Sequence, residues 1–203
     1  VCGGTGFYVL ALLYKSQFGN AGADEAVRKK YEAVLSERGA VYLHKLLEER
    51  DPESAKILHF NDTKRVIRAL EIFEVTGKKK SEQKDEEIPR FDFVSVSVDF
   101  PRAALYERIE RRVDKMFEDG LKEEVKGLLA RGIDEKRQCM QGIGYKEVAE
   151  GLRLGSSDEE IAEAVKKNTR NYAKRQITFF KRMQNHSFFS PQEVAAEKVL
   201  SLL

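Results

Sequence analysis

Tryptophan is absent from this sequence, and cysteine, proline and histidine are scarce: its 203 residues include two cysteines, four prolines and three histidines. Cys2 and Cys139 form no C-x-x-C pair and are too few for a disulfide framework, which indicates a reducing, cytoplasmic setting. His44, His59 and His186 lack zinc-ligand spacing, and no Ser-His-Asp set, metal-ligand cluster or carboxylate pair stands out. The sequence has no apolar run long enough to cross a bilayer and no signal-peptide pattern, so we expect no membrane partner.

Charged residues are abundant, at 34% of the sequence, and their distribution is uneven. The net charge is only +2, which by itself does not indicate a nucleic-acid partner. However, the segment 166–182, KKNTRNYAKRQITFFKR, has seven cations and no acid, and the segment 136–146, KRQCMQGIGYK, has three more cations. Segregated positive charge of this kind indicates a polyanionic partner.

The chain begins with a glycine-rich turn, V-C-G-G-T-G, followed by apolar residues that predict a helix. Glycine allows close approach of a ligand, and a helix N-terminus presents free N–H groups to an anion. The turn is not a Walker loop, because no lysine follows the glycines before Lys15. A ligand site and a plain connection between strand and helix both remain open. Two residues are too few for the preceding strand, which needs about five, so we expect part of the sheet to lie outside this chain.

Short amphipathic helices are predicted over residues 16–60, with Asp24 as an N-cap, a break at Gly39 and a helix start at Pro52. A further helix is predicted from Asn61 or Asp62 to Gly77, before a charged linker. We interpret residues 16–60 as a helical insertion, and an end as late as about residue 86 stays open as an alternative. Residues 1–15 and 61–203 then form a partial α/β core with C-terminal helices.

One strand is predicted at 91–98, where the sequence FDFVSVSV alternates apolar and polar residues. Helices follow, and the longest is predicted to begin after Ser157 or Asp158. A lone strand does not form a stable sheet. The predicted fold class is therefore α/β, mostly helical in this chain.

Four segments are candidates for phosphate or nucleic-acid binding, and each has a plain alternative. In the longest helix, Arg170, Lys174 and Lys181 share a face; the alternative is a solvated basic face. In TKRVIR, cations occupy a helix N-terminus, which the helix dipole disfavours unless an anion compensates; the alternative is ion pairing with Glu71 or Asp62.

The third candidate is QGIGYK, where the glycines allow close backbone approach and Tyr145 is positioned to stack on a base; the alternative is an ordinary turn. In the fourth, RIERRVDKM, Arg108 and Arg112 lie four residues apart and suit a diphosphate. The alternative is pairing with Glu107 or Glu110.

Taken together and in order, the segments GGTGFY, DP, NDTKRVIRALE, TG, RRVDKMFEDGL, EV, QGIGYKE and TRNYAKRQITFF resemble the tRNA dimethylallyltransferase (tRNA isopentenyltransferase) family along essentially the whole chain. The resemblance implies transfer of a dimethylallyl group from its diphosphate to the exocyclic nitrogen of the adenosine 3′ of the tRNA anticodon, with Mg²⁺ required. It implies a P-loop-like core with a helical insertion that grips the anticodon stem-loop. The implied partners are the anticodon stem-loop and dimethylallyl diphosphate, and we expect a cytoplasmic monomer.

The resemblance also implies residue roles. Thr5 matches a threonine near the target adenine, in a turn that lines the reaction channel, and Arg112 matches an arginine near the diphosphate; both are predicted to be catalytic. The residues predicted to bind tRNA are Thr5, Arg28, Lys64, Arg65, Val66, Ile67, Arg68, Gln141, Gly142, Ile143, Gly144, Tyr145, Lys146, Lys174, Arg175, Gln176, Ile177, Thr178, Phe179, Phe180 and Lys181.

The sequence departs from the family pattern in two respects. The family's phosphate loop and the catalytic Asp after it are not in this chain, and Phe179 stands where the family usually has tryptophan. No metal ligand is assigned here, and the Mg²⁺ ligands are expected in that N-terminal part. We expect the 203-residue chain by itself to be inactive. An adenylate isopentenyltransferase that acts on a free nucleotide and a non-catalytic RNA-binding fragment stay as alternatives.

Overall fold

The computed structural model of the chain describes residues 1–15, 22–83, 88–193 and 196–202. These form two compact units. The helical unit comprises Phe7–Asp92, and the α/β unit comprises Val1–Gly6 and Phe93–Leu203. The insertion predicted at 16–60, or up to about 86, lies within the helical unit; its bounds and its assignment to tRNA binding stay predictions.

The helical unit contains α1 (Gly6–Leu13), α2 (Glu25–Arg50), α3 (Pro52–Ile57), α4 (Thr63–Thr76) and a 3₁₀ turn at Lys80–Glu82; α1 begins at Gly6, the last residue of the first segment of the α/β unit. Local signals set these boundaries. Asp24 caps α2, since its carboxylate accepts from the N–H groups of Ala26 and Val27 at 3.0 Å each. Gly39, with φ 79° and ψ 171°, interrupts α2 with a kink. The predicted N-cap and the predicted break are both confirmed.

Helices α2 and α4 enclose the core of the helical unit. Tyr31, Leu43 and Leu47 of α2 are buried against Val66 and Leu70 of α4. Burying large apolar side chains of this kind contributes about 1.5–3 kcal/mol each. The core therefore places α4, with its N-terminal cations, firmly on α2.

The α/β unit contains β1 (Ser95–Val98), α5 (Arg102–Glu118), α6 (Leu121–Ala130), a 3₁₀ turn (Gln138–Gln141), α7 (Tyr145–Leu154), α8 (Asp158–Phe180), β2 (His186–Phe189) and α9 (Ala196–Leu200). Of the two predicted candidates, Ser157 and Asp158, Ser157 caps α8: its hydroxyl accepts from the Glu160 N–H, and the Glu160 carboxylate accepts from the Ser157 N–H. Helices α5 and α8 pack together through Ile109, Val113 and Val165.

The sheet corrects two expectations. Strand β2, which the sequence analysis missed, pairs in parallel with β1, and Ser95 lies opposite His186 and Val98 opposite Phe189. Strand β1 begins at Ser95, four residues later than predicted, and Phe91 is 50% exposed. The chain is thus mostly helical with a small parallel sheet, and its described helices include none that is long and apolar enough to span a membrane.

Candidate active site

The glycine turn packs directly against α8. The Gln176 side-chain amide donates to the Gly4 carbonyl at 2.8 Å. A Cβ on Gly4 would lie 2.1 Å from Gln176 Nε2, and a Cβ on Gly6 would lie 2.2 Å from Cε1 of Phe179. The absence of a side chain at both positions therefore lets Gln176 and Phe179 of α8 pack against the backbone of the turn.

Thr5 lies between these two contacts and is exposed. Within the described part of the chain, its hydroxyl has no hydrogen-bond partner. A hydroxyl that is free to donate and accept is thus held on a turn whose backbone is attached to α8 on both sides.

Beside the turn lies a cavity of about 180 Å³ in the α/β unit. Its walls come from the turn, from the carboxyl end of β1 and from one face of α8, and its polar lining includes Ser97, Asp99 and Gln176. Ligands commonly bind outside the carboxyl ends of parallel strands. Sequence reasoning missed Ser97 and Asp99, although their position at the end of a predicted strand was a usable signal.

Ser97 is held in place by a partly buried histidine. The ring nitrogens of His186 hydrogen-bond to Ser95 Oγ at 2.7 Å and to Ser97 Oγ at 2.9 Å, and the ring stacks on Phe180. Burial lowers the pKa of His186 below its ordinary value of 6.5. The neutral ring, with one donor and one acceptor nitrogen, therefore fixes Ser97 at the cavity wall.

The positive charge of α8 is partly neutralised. Lys166 pairs with Asp114 at 2.6 Å, and Arg170 pairs with Glu110 at 3.1 Å, both acids being on α5. Two of the seven cations of the segment 166–182, which contains no acid of its own, are therefore paired with acids of another helix.

The unpaired charge lies toward the C-terminal end of α8. Arg175 and Lys181 are exposed and have no ion pair with any residue that the structure describes. Lys174 is also exposed and interacts with the Tyr106 hydroxyl. Burial raises the pKa of Tyr106, but Arg102 and Lys174 outweigh it, so the pKa is lowered.

At the N-terminus of α4, the ion-pairing alternative is confirmed for two arginines. Arg65 pairs with Asp62 at 3.1 Å, and Arg68 pairs with Glu71 at 2.8 Å. Arg28 also pairs with Glu71, at 3.0 Å. Lys64 is exposed without an ion pair among the described residues.

Three apolar members of the predicted tRNA-binding set have buried side chains. Val66 and Ile67 lie in the core of the helical unit, and Phe180 is buried beside the cavity. These side chains are therefore unavailable to RNA in this conformation. Sequence reasoning included them because they lie within segments that match the family.

The segment 141–146 is shaped by a buried carboxylate. Glu147 accepts from the Gly144 N–H at 2.7 Å and from the Asn168 side chain of α8 at 2.8 Å. Tyr145 donates to Glu124, and this hydrogen bond raises the pKa of Tyr145. Ile143 packs on the α5–α8 cluster. In this turn Gln141, Gly142 and Lys146 are exposed.

Arg112 is exposed on α5 and has no ion pair within the described ranges. The two acids that were considered as its partners are used by other residues: Glu107 by Arg111 and Glu110 by Arg170. Its helical neighbour Arg108 stacks over Phe100, at 4.7 Å from the ring centroid. Phe100 lines the cavity, so Arg108 contacts a residue of the cavity lining.

A metal site would need converging acidic, histidine or cysteine side chains. The described residues contain no group of three or more such side chains that could hold an ion. We therefore assign no Mg²⁺ ligand here and derive no chemical step through a metal.

Comparison with known proteins finds one kind of enzyme, both by the family model and among the individual relatives. The family model for IPP transferase matches residues 1–183. The tRNA dimethylallyltransferases of Acetivibrio thermocellus and Bacillus cytotoxicus are 41% and 42% identical to this chain; each alignment covers 100% of the chain, with 66% and 64% of the relative. The chain thus spans less than two thirds of the length of these relatives.

The solved structures that are similar to this chain include transferases of the same kind as these relatives. The tRNA isopentenylpyrophosphate transferase of Bacillus halodurans is 37% identical, with a TM-score of 0.59 over 98% of this chain and 62% of that one. A eukaryotic dimethylallyltransferase acting on tRNA is 31% identical, with a TM-score of 0.66 over 88% of this chain and 46% of that one.

Proposed function

The chain belongs to the IPP transferase family, and from this premise we propose that its protein transfers a dimethylallyl group from dimethylallyl diphosphate to the exocyclic nitrogen of the adenosine 3′ of the tRNA anticodon. The observation that carries the proposal is the Thr5 hydroxyl, which has no hydrogen-bond partner among the described residues. It is held beside a cavity by the same helix whose C-terminal end exposes Lys174, Arg175 and Lys181. That cationic end suits the phosphates of an RNA backbone.

The chemistry of the transfer gives the Thr5 hydroxyl a role. The adenine amine is a poor nucleophile, so the base has to be extruded and positioned. The Thr5 hydroxyl accepts a hydrogen bond from the amine while the new N–C bond forms and the C–O bond to the diphosphate breaks. The diphosphate leaves with the bonding electrons, and the resemblance assigns the released proton to an aspartate that is not in this chain.

The other parts of the proposal rest on the resemblance. They are a P-loop-like core, which the parallel pair β1–β2 supports, a Mg²⁺ requirement, and a cytoplasmic monomer. The relatives are named for tRNA, which favours tRNA over a free nucleotide as the acceptor.

The test is transfer of a labelled dimethylallyl group by the full-length protein to a tRNA anticodon stem-loop and, separately, to AMP. We expect label in the RNA and none in AMP. Transfer to AMP alone would instead support an adenylate isopentenyltransferase, and tRNA binding without any transfer would support a non-catalytic RNA-binding protein.

Replacing Arg112 should impair handling of the diphosphate. In the full-length protein, Arg112→Ala should lower kcat/KM for dimethylallyl diphosphate by roughly 10- to 150-fold, because a charge-assisted contact contributes about 1.5–3 kcal/mol. Arg111→Ala is the matched control, since Arg111 is an exposed arginine already paired with Glu107. Equal kinetics for the Arg112 variant and the wild type would show that Arg112 does not contact the diphosphate.

Replacing Lys181 should weaken tRNA binding without affecting the chemical step. Lys181→Ala should reduce the salt dependence of the tRNA dissociation constant by about one unit of slope, the loss of one phosphate contact. The measurement is binding across a salt series. Lys126→Ala, at an exposed lysine of α6 paired with Glu123, is the control. An unchanged slope for Lys181→Ala would remove this lysine from the interface.

A further inference from the structure

Helix α8 presents two chemically different faces along the segment 174–181. Lys174, Arg175, Thr178 and Lys181 are exposed, whereas Gln176, Ile177 and Phe179 are partly buried and Phe180 is buried. The family resemblance treats this whole segment as one tRNA contact. The burial pattern instead divides the segment into an exposed face and an inward face.

The inward face contacts the glycine turn on both sides of Thr5. Gln176 donates to the carbonyl of Gly4, the residue before Thr5. Phe179, one helical turn later, lies against Gly6, the residue after Thr5, so closely that a Cβ there would be 2.2 Å from the ring. The turn is thus attached at two points that flank the hydroxyl.

We propose that Gln176 and Phe179 are positioning residues, which hold the glycine turn so that Thr5 is placed for the transfer step, and that they do not contact tRNA. This inference rests on the proposed function for the role of Thr5. The contacts of Gln176 and Phe179 with the glycine turn do not depend on the proposed function.

The physical reason is the flexibility of the turn. Glycines have access to much more backbone conformational space than other residues, so a turn with three glycines samples many positions of the Thr5 hydroxyl unless it is restrained. A displacement of about 1 Å in a reacting or positioning group costs roughly 100-fold in rate. The hydrogen bond to Gly4 and the ring against Gly6 remove this freedom from both ends.

The principal variant is Gln176→Met in the full-length protein, because methionine has a similar length but no N–H donor. We expect faster amide hydrogen exchange at residues 3–6 and a single-turnover transfer rate lowered by about 10- to 100-fold. The tRNA dissociation constant and its salt slope should stay as in the wild type. Gln138→Met, the same replacement at an exposed glutamine of the 3₁₀ turn, should change none of these quantities.

A double-mutant cycle gives a second test. Gly4→Ala should displace the Gln176 side chain, since its new Cβ would lie 2.1 Å from Nε2. Both single variants then lose the same hydrogen bond, so Gly4→Ala combined with Gln176→Met should be no slower than the slower single variant. Additive losses in rate would contradict a shared contact.

Two outcomes would overturn the inference. One is weaker tRNA binding by Gln176→Met with an unchanged rate at saturating tRNA, which would make Gln176 a tRNA contact. The other is unchanged hydrogen exchange at residues 3–6. If the wild-type protein transfers no dimethylallyl group, the proposed function fails, but the exchange measurement still decides whether α8 holds the turn.

Discussion

We expect Thr5→Val to lower the single-turnover rate of dimethylallyl transfer in the full-length protein by roughly 100- to 1,000-fold, the usual cost of removing one preorganised hydrogen-bonding group from a transition state. Valine keeps the β-branched shape of threonine and removes the oxygen. The tRNA dissociation constant should change little, because the interaction strengthens mainly in the transition state.

The structure provides a matched control for this variant. Thr169, also a threonine of the α/β unit, donates its hydroxyl to the Val165 carbonyl within α8, so Thr169→Val makes the same chemical change at a hydroxyl that is already satisfied. Its transfer rate should equal that of the wild type. If Thr5→Val chiefly weakens tRNA binding, or leaves the rate within a few-fold of the wild type, Thr5 does not act at the chemical step.

We expect Glu71→Ala to destabilise the protein by about 3 kcal/mol, the lower end of the range for breaking a buried ion pair. Glu71 is completely buried, and its carboxylate accepts from the Asp24 N–H at 2.7 Å while it pairs with Arg28 and Arg68. One carboxylate thus joins α4 to the N-cap of α2. The lower end of the range applies because the two arginine side chains are 43% and 30% exposed and regain hydration.

The measurement is urea unfolding of the full-length protein at neutral pH. Glu53→Ala is the control, since Glu53 is 66% exposed and pairs with Lys56 at i,i+3; it should cost less than about 0.5 kcal/mol. Similar unfolding free energies for the two variants would show that the buried carboxylate contributes no more than a surface pair.

The same carboxylate makes stability depend on pH. Burial by itself raises the pKa of Glu71, but hydrogen bonds from Arg68, the Asp24 backbone and Arg28 outweigh it and hold the pKa below its ordinary value of 4.5. Ionised Glu71 therefore stabilises the fold above about pH 4.5, and this contribution is lost as the pH falls through the lower folded pKa. Glu71→Gln should remove that part of the acid sensitivity. If the unfolding free energy of Glu71→Gln decreases below pH 4.5 as steeply as that of the wild type, Glu71 does not have this role.

The sequence by itself determined several helix boundaries and the family. Asp24 was predicted as an N-cap, and Ser157 as one of two candidates with Asp158, because a capping side chain bonds to N–H groups two or three residues away. Gly39 was predicted as a break because glycine adopts a positive φ without strain. Each of these signals lies within a few residues of the boundary that it sets, so it can be recognised without knowledge of the tertiary structure. The ordered family motifs likewise need no tertiary structure to be recognised.

The tertiary structure decided what depends on distant partners. Strand β2 has four residues and little signal of its own, and it becomes a strand because it pairs with a segment 91 residues earlier. Lys166 and Arg170 are neutralised by acids on a different helix. Gln176 points to the glycine turn across 172 positions of sequence. Helical spacing shows which residues share a face, but only the packing of helices and strands determines which face meets solvent and which meets another part of the chain.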